Sequence, residues 1–150
     1  MSSAEIYVVS AVRSAIGGFG GSLKDLPLAD LASAITRAAI ERSGLAAEQI
    51  GHVVMGTVIP TEPRDAYLAR VAAMNAGIPK ETPAFNVNRL CGSGLQAIVS
   101  AAQGLLLGDT DVAIAAGAES MSRGPYLLPQ ARWGARMGDL QGIDYTVGVL

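Results

Sequence analysis

The sequence predicts an α/β fold, a mixed and mostly parallel sheet layered with helices. Three observations carry that expectation. Short apolar, β-branched runs alternate with stretches of helical periodicity along most of the chain. Half of the 150 residues are hydrophobic and only 16% are charged, which suits a compact body with large buried or subunit-contact surfaces. Finally, the span from Leu90 to Gly108 has no charged residue and reads as a helix buried in protein, because glycine, serine and glutamine interrupt it too often for lipid.

Taken in order, Ile6 to Val12 is an apolar, β-branched run expected to be a buried strand. A glycine-rich loop, Gly17 to Gly21, follows. Pro27 is placed for a first helical turn, Leu28, Leu31, Ile35, Ala38 and Ala39 recur at helical spacing, and Gly44 is placed to end that helix as a left-handed cap. His52 to Ile59 predicts a second strand, closed by Pro60 and Pro63. Asp65 to Ala76 predicts a helix stopped at Gly77, and Pro83 to Val87 a third strand. The uncharged helix is expected from about Cys91 to Leu107, apolar on every face and central, and Val112 to Ala118 predicts a fourth strand. Beyond Gly117 periodicity fades. Pro125, Pro129 and several glycines punctuate a loop excursion that carries Tyr126, Trp133 and Tyr145.

Composition excludes several classes of function. The net charge is −2 and no basic block occurs, so nucleic acid is not an expected partner. One cysteine allows neither an internal disulfide nor a cysteine metal cage, and the single histidine, His52, removes most other metal sites. A reducing, cytoplasmic setting is the expectation, with no signal peptide at the first residues and no membrane partner. The run Gly17 to Gly21 lacks the last glycine of a dinucleotide loop, and no P-loop follows it. Ser93 is not in a serine-hydrolase elbow, since Cys91 stands where that motif needs glycine. Asp109 and Asp111 form a turn pair without the other ligands of a calcium loop.

The chemistry concentrates in Asn86-Val87-Asn88-Arg89-Leu90-Cys91-Gly92-Ser93-Gly94, where a strand ends and a cysteine stands at the start of a helix. Backbone N–H groups are unpaired there and the helix dipole favours negative charge. Such a location promotes the thiolate, and the same N–H groups suit an oxyanion formed when a thioester carbonyl is attacked. Gly92 and Gly94 leave room for substrate to approach the backbone. Position alone leaves a second reading open, that of an inert, buried cysteine packed as a small hydrophobe.

Asn88-Arg89-Leu90-Cys91-Gly92-Ser93-Gly94-Leu95-Gln96-Ala97 resembles the nucleophile motif of the thiolases, the family of acetyl-CoA acetyltransferases and 3-ketoacyl-CoA thiolases. Three further stretches are similar to family signatures and fall in the family's order. They are Val12 to Gly17 with Phe19 to Leu23, Val54-Met55-Gly56-Thr57-Val58, and Gly117-Ala118-Glu119-Ser120-Met121-Ser122. The last has alanine where the family often has glycine. Within the family the sequence looks most like bacterial β-ketothiolases of biosynthetic type.

The resemblance implies a thiolase-like fold, of which this chain is the N-terminal half, lacking the sheet's last strand. Residues 1–118 would form the N-terminal α/β domain, and residues 119–150 the start of a loop domain that covers CoA and joins dimers into tetramers. The strand near Ala84 to Asn88 would be a dimer seam. Cys91 would be the catalytic nucleophile of an acyl-CoA C-acyltransferase, accepting an acyl group from one acyl-CoA before a second condenses with it, or the reverse in thiolysis. CoA thioesters would be substrates, with no separate cofactor and no metal, in fatty acid or polyhydroxyalkanoate metabolism. The assembly would be a homodimer or homotetramer. Leu150 falls near a family position against the pantetheine arm. Arg123, Arg132 and Arg136 are candidates to face CoA phosphates, or else ordinary solvated arginines.

The family's catalytic histidine and second cysteine have no counterpart in these 150 residues. His52 is an ordinary strand-end residue in this reading, and these residues alone are not expected to be active. Three alternatives stand beside it. One is a ketoacyl synthase on the same fold, against which the full cysteine motif argues. The others are a non-catalytic acyl-CoA or lipid-binding relative, and an inert fragment.

Overall fold

The computed structural model describes residues 5–149 of the chain. Its centre is a three-stranded parallel sheet in the order β2-β1-β3, formed by β1 (His52–Gly56), β2 (Ala84–Val87) and β3 (Ala113–Gly117). Val53 lies beside Ala84 and Ile114, and Gly56 beside Val87 and Gly117, so the three strands end together. Alternate side chains of β1 serve opposite faces, as strand geometry requires. Val53 and Met55 enter the core beneath helices α1 (Leu28–Ser43) and α2 (Leu68–Asn75), whereas Val54 meets Ala97 and Ala101 of helix α3 (Ser93–Leu107). The result is a helix–sheet–helix sandwich with all three strand ends opening on one rim.

Helix α1 begins at Leu28 with Pro27 as its N-cap, one residue later than expected, and Pro27's carbonyl accepts from the N–H groups of Asp30 and Leu31. Gly44 closes the helix with φ 72°, the left-handed cap that the sequence predicts. The buried stripe is rotated from the expected one. Leu28, Ala29, Ala32, Ser33, Thr36 and Ile40 are buried, and the larger Leu31 and Ile35 are only partly covered. Small residues win because α1 packs closely on α2, whose buried face is Leu68, Ala69, Ala72 and Ala73. The hydroxyls of Ser33 and Thr36 fold back on the carbonyls of Ala29 and Ala32, so neither is buried without a partner. Leu31 and Ile35 instead line a cavity of about 650 Å³ between α1, the end of β3 and the loop from Val12 to Phe19.

The helix expected from Asp65 starts only at Leu68. Residues Pro63–Tyr67 form a 3₁₀ turn, in which the fully buried Asp65 turns its carboxylate back on the preceding loop. Its Oδ2 accepts from Thr61 N–H at 2.8 Å, Thr61 Oγ1 at 2.6 Å and Glu62 N–H at 3.1 Å. A carboxylate committed to those donors belongs to a turn and not to a helix interior. Gly77, with φ 88°, ends α2 as expected.

Two expectations fail. Ile6 to Val12 is not a strand, and Tyr7, Val8 and Val9 are exposed. A β-branched run becomes a strand only where a neighbour completes its hydrogen bonds, and no strand lies beside it among the described residues. The sheet therefore has three strands here, not four. Helix α3, secondly, is not enclosed on every face. Ser93, Ala97 and Ala101 pack on the sheet, while Leu95, Ile98, Val99, Leu106 and Leu107 stand exposed. Residues Leu90–Leu107 have the length and a mean hydropathy of 1.4 that a membrane crossing needs. However, the side made of small residues is seated on a sheet, which is the geometry of a layered α/β protein. After β3 the chain forms a short antiparallel pair, β4 (Tyr126–Leu127) with β5 (Ile143–Asp144), and one turn of helix, α4 (Tyr145–Gly148).

Candidate active site

The rim where the three parallel strands end carries the cysteine motif. Cys91 is exposed, and it stands two residues before the first residue of α3 in the tight connection from β2. Helix α3 therefore starts later than expected, with Gly92 as its N-cap. No side chain caps it, and the N–H groups of Gly94 and Leu95 have no acceptor among the described residues. Unpaired donors at a helix start are suited to a developing oxyanion. An ideal Cβ on Gly94 would meet nothing within 4 Å, so the Cβ side of that residue is open.

The turn is held from within. Leu90 adopts φ 49°, the only non-glycine residue in the left-handed region among the described residues. Its N–H donates to Asn88 Oδ1 at 3.0 Å. Ser93, only 4% exposed, accepts from Arg89 N–H at 2.8 Å through its hydroxyl and donates to Leu90 O at 2.6 Å. Arg89 also donates to Gln96 Oε1 on the next turn of α3. These bonds bracket Cys91 on both sides and leave its own side chain at the surface.

Backbone contact fixes the turn against the sheet. Gly56, the last residue of β1, lies so close to α3 that an ideal Cβ would sit 2.6 Å from Ser93 C and 2.8 Å from Gly94 N. A Cβ on Gly117 would come within 3.6 Å of Gly94 Cα. Asn86 on β2 secures the other side. Its Oδ1 accepts from Ala69 N–H at 2.8 Å, and its Nδ2 donates to the carbonyls of Asp65 and Ala66.

Beyond β3, Glu119 accepts from the N–H groups of Val58 and Ile59, each at 2.9 Å. Ser122 Oγ accepts from Gly20 N–H, and Arg123 pairs with Glu62 at 3.5 Å. The Gly117–Ser122 signature is thus a hub that ties the loop after β1 to the glycine-rich first loop. Leu90, Ser93, Asn86, Gly56 and Glu119 are site-building residues that sequence reasoning missed. The available signal was the pair of recognised motifs containing Gly56 and Glu119, whose contacts span about 40 and 60 residues.

The remaining candidates disperse. His52 opens β1 at the opposite end of the sheet from Cys91, edge-on to the Phe85 ring at 5.5 Å, as a strand-end residue. Arg123 is engaged by Glu62, while Arg132 and Arg136 are exposed. Leu150 lies outside the described residues. The 650 Å³ cavity is on the α1 side of the sheet and does not include Cys91. No group of three or more histidine, cysteine or acidic residues suited to a metal occurs among the described residues.

Cys91 is thus an exposed cysteine on a turn ahead of a helix, at the strand-end rim of a parallel α/β sheet. The family profile "Thiolase, N-terminal domain" matches residues 6–149, and the chain belongs to the thiolase family. The beta-ketothiolase BktB of Cupriavidus necator is 63% identical over 146 residues, which are 97% of this chain and 37% of that protein. An acetyl-CoA acetyltransferase of the same organism is 43% identical over 95% of this chain and 36% of its own length. Among solved structures, the acetyl-CoA acetyltransferase of Bacillus anthracis superposes with a TM-score of 0.90 at 39% identity, covering 95% of this chain and 36% of that one. Human mitochondrial 3-ketoacyl-CoA thiolase in complex with CoA superposes with a TM-score of 0.86 at 40% identity, covering 90% and 34%. The chain thus spans little more than a third of the length of these relatives.

Proposed function

We propose that this chain is the nucleophile-bearing part of an acyl-CoA C-acyltransferase, a β-ketothiolase. The observation that carries the reading is the exposed Cys91, set on a braced turn two residues ahead of α3, at whose start the N–H groups of Gly94 and Leu95 have no acceptor among the described residues. In the first half-reaction the Cys91 thiolate attacks the thioester carbonyl of an acyl-CoA. The carbonyl oxygen takes the negative charge beside those donors, and CoA leaves as a thiolate that takes up a proton. In the second, an acyl-CoA deprotonated at its α-carbon attacks the acyl-cysteine. A carbon–carbon bond forms, the carbon–sulfur bond to Cys91 breaks, and 3-ketoacyl-CoA leaves with the thiolate restored. Thiolysis is the same path reversed.

The deprotonation needs an acid–base group that these residues do not supply, since the one histidine stands at the other end of the sheet. The activity is therefore that of the whole protein, with CoA thioesters as substrates and no metal in the chemistry. Residues 1–118 act as the α/β domain and residues 119–150 as the start of a CoA-covering loop domain. The setting is cytoplasmic and the assembly a homodimer or homotetramer. The similarity to proteins named beta-ketothiolase, acetyl-CoA acetyltransferase and 3-ketoacyl-CoA thiolase supports this assignment.

The test is intact-mass analysis of the whole protein before and after brief exposure to acetyl-CoA. A single acetyl adduct, mapped to Cys91, released by hydroxylamine and lost in Cys91→Ser, is the expected result. Binding of acetyl-CoA without any adduct would leave an acyl-CoA-binding protein and overturn the acyl-transfer reading.

A further inference from the structure

We infer that Glu119 is a positioning residue for the Cys91 site, acting through the end of strand β1. The inference rests on the reading of Cys91 as the acyl acceptor. β1 is flanked on both sides up to Gly56, where Gly56 O accepts from Ala118 N–H at 3.0 Å and Thr57 N–H donates to Val87 O at 3.2 Å. Among the described residues no strand continues the ladder beyond Thr57. The next two N–H groups, of Val58 and Ile59, would lack acceptors, and Ile59 is only 2% exposed. Glu119 supplies both acceptors, one carboxylate oxygen to each N–H, at 2.9 Å. One side chain thereby replaces a missing strand edge, with one oxygen for each N–H.

Those bonds matter at Cys91 because of what lies two residues before Val58 along the chain. Gly56 is pressed against the backbone of Ser93 and Gly94, at distances that leave no room for even a methyl group. Any shift in the path of β1 as it leaves the sheet is passed to the first turn of α3 by rigid backbone contact. The donors of Gly94 and Leu95, and the turn that carries Cys91, move with it. Glu119 touches no reacting atom in this scheme. It fixes the wall on which the nucleophile turn is seated, and this gives the Gly117–Ser122 signature a physical role at the site.

The experiment uses the whole protein and three variants. Glu119→Gln keeps the side-chain size but turns an amide NH₂ toward one of the two N–H groups. Glu119→Asp keeps the charge but is one methylene short, so it reaches one N–H. Thr82→Val removes a buried hydroxyl that donates to Ile50 O at 2.9 Å, beside the opposite end of β1, and serves as the control for general destabilisation. Cys91 alkylation by iodoacetamide, acyl-transfer kcat and KM, and thermal stability are measured for each.

In the folded Glu119→Gln protein, alkylation is expected to slow about threefold or more. kcat should fall about tenfold or more, with KM moving less than about twofold, as a sub-ångström misplacement of a reacting group predicts. Glu119→Asp should show a smaller loss of the same kind, and Thr82→Val should lose stability only. Wild-type alkylation and kcat in either folded Glu119 variant, or an equal loss in Thr82→Val, would overturn the inference. Slowed alkylation in the Glu119 variants of a protein whose wild type transfers no acyl group would sink the acyl-transfer reading and leave the positioning role standing.

Discussion

Gly56→Ala isolates the contact on which the site depends. The added Cβ would sit 2.6 Å from Ser93 C, 2.7 Å from Ser93 O and 2.8 Å from Gly94 N. All three are backbone atoms of the first turn of α3, so no rotamer change relieves the overlap. Ordinary contact begins near 3.4 Å, so α3 must retreat by about 3.4 − 2.6, or roughly 0.8 Å, if β1 holds its place. Overpacking of that kind costs about 1–3 kcal/mol. The assay is urea unfolding of the whole protein, with the midpoint falling at unchanged slope, alongside the rate of Cys91 alkylation. Because the displacement falls on the nucleophile turn, acyl transfer should drop by up to about a hundredfold, more than the stability loss alone would produce. Gly94→Ala is the counterpart. Its Cβ meets open space, and alanine suits a helix better than glycine by up to about 1 kcal/mol. Stability should therefore hold or rise, and any activity lost reports substrate approach and not helix placement. A Gly56→Ala protein as stable and as reactive as wild type would refute the argument that close backbone packing sets the site.

Two further outcomes follow from hydrogen bonds within the helix layers. Ser93→Ala leaves the Arg89 N–H without its acceptor and frees Leu90, at φ 49°, from the hydroxyl that engages its carbonyl. It should cost about 1–3 kcal/mol in urea unfolding. Adding Leu90→Gly, which accepts that backbone conformation without strain, should recover part of the loss. Thr36→Val, by contrast, should change stability by less than about 1 kcal/mol. Thr36 is 1% exposed, but its hydroxyl bonds only the carbonyl of Ala32 within the same helix, and valine fills the same volume without leaving a buried donor behind. A loss of several kcal/mol on calorimetric unfolding would contradict that account.

What could be read from the sequence was what is written locally. Gly44 and Gly77 mark helix ends because only a residue without Cβ takes a positive φ at little cost, so each is visible from its neighbours alone. The three strands of the sheet are short apolar runs between turn residues. Cys91 stands out because a strand signal ends and an uncharged helix begins within a few residues of it. Ile6 to Val12 carries the same strand signal and is not a strand, since that signal describes a surface fit for pairing and not the partner itself. The buried face of α1 was misplaced for a related reason. Leu31 and Ile35 look like core residues, but the close approach of α2 selects Ala29, Ala32, Ser33 and Thr36 instead.

The site divides in the same way. The proposed nucleophile is a matter of residue type at a position, and the resemblance of its motif points to it. The structure that holds it is a matter of distance. Gly56 meets Ser93 across 37 residues, and Glu119 reaches Val58 across 61. A glycine ending a strand looks like any turn glycine, and a glutamate after a strand looks like any surface acid, until the sheet brings them to one rim. The Gly117–Ser122 signature was recognisable as a pattern before it had a physical meaning. Its glutamate bonds backbone that no strand serves, its serine accepts from the first loop, and the adjoining Arg123 holds Glu62. Each contact restrains a segment beside the strand ends, so the pattern and the nucleophile motif are two parts of one rim.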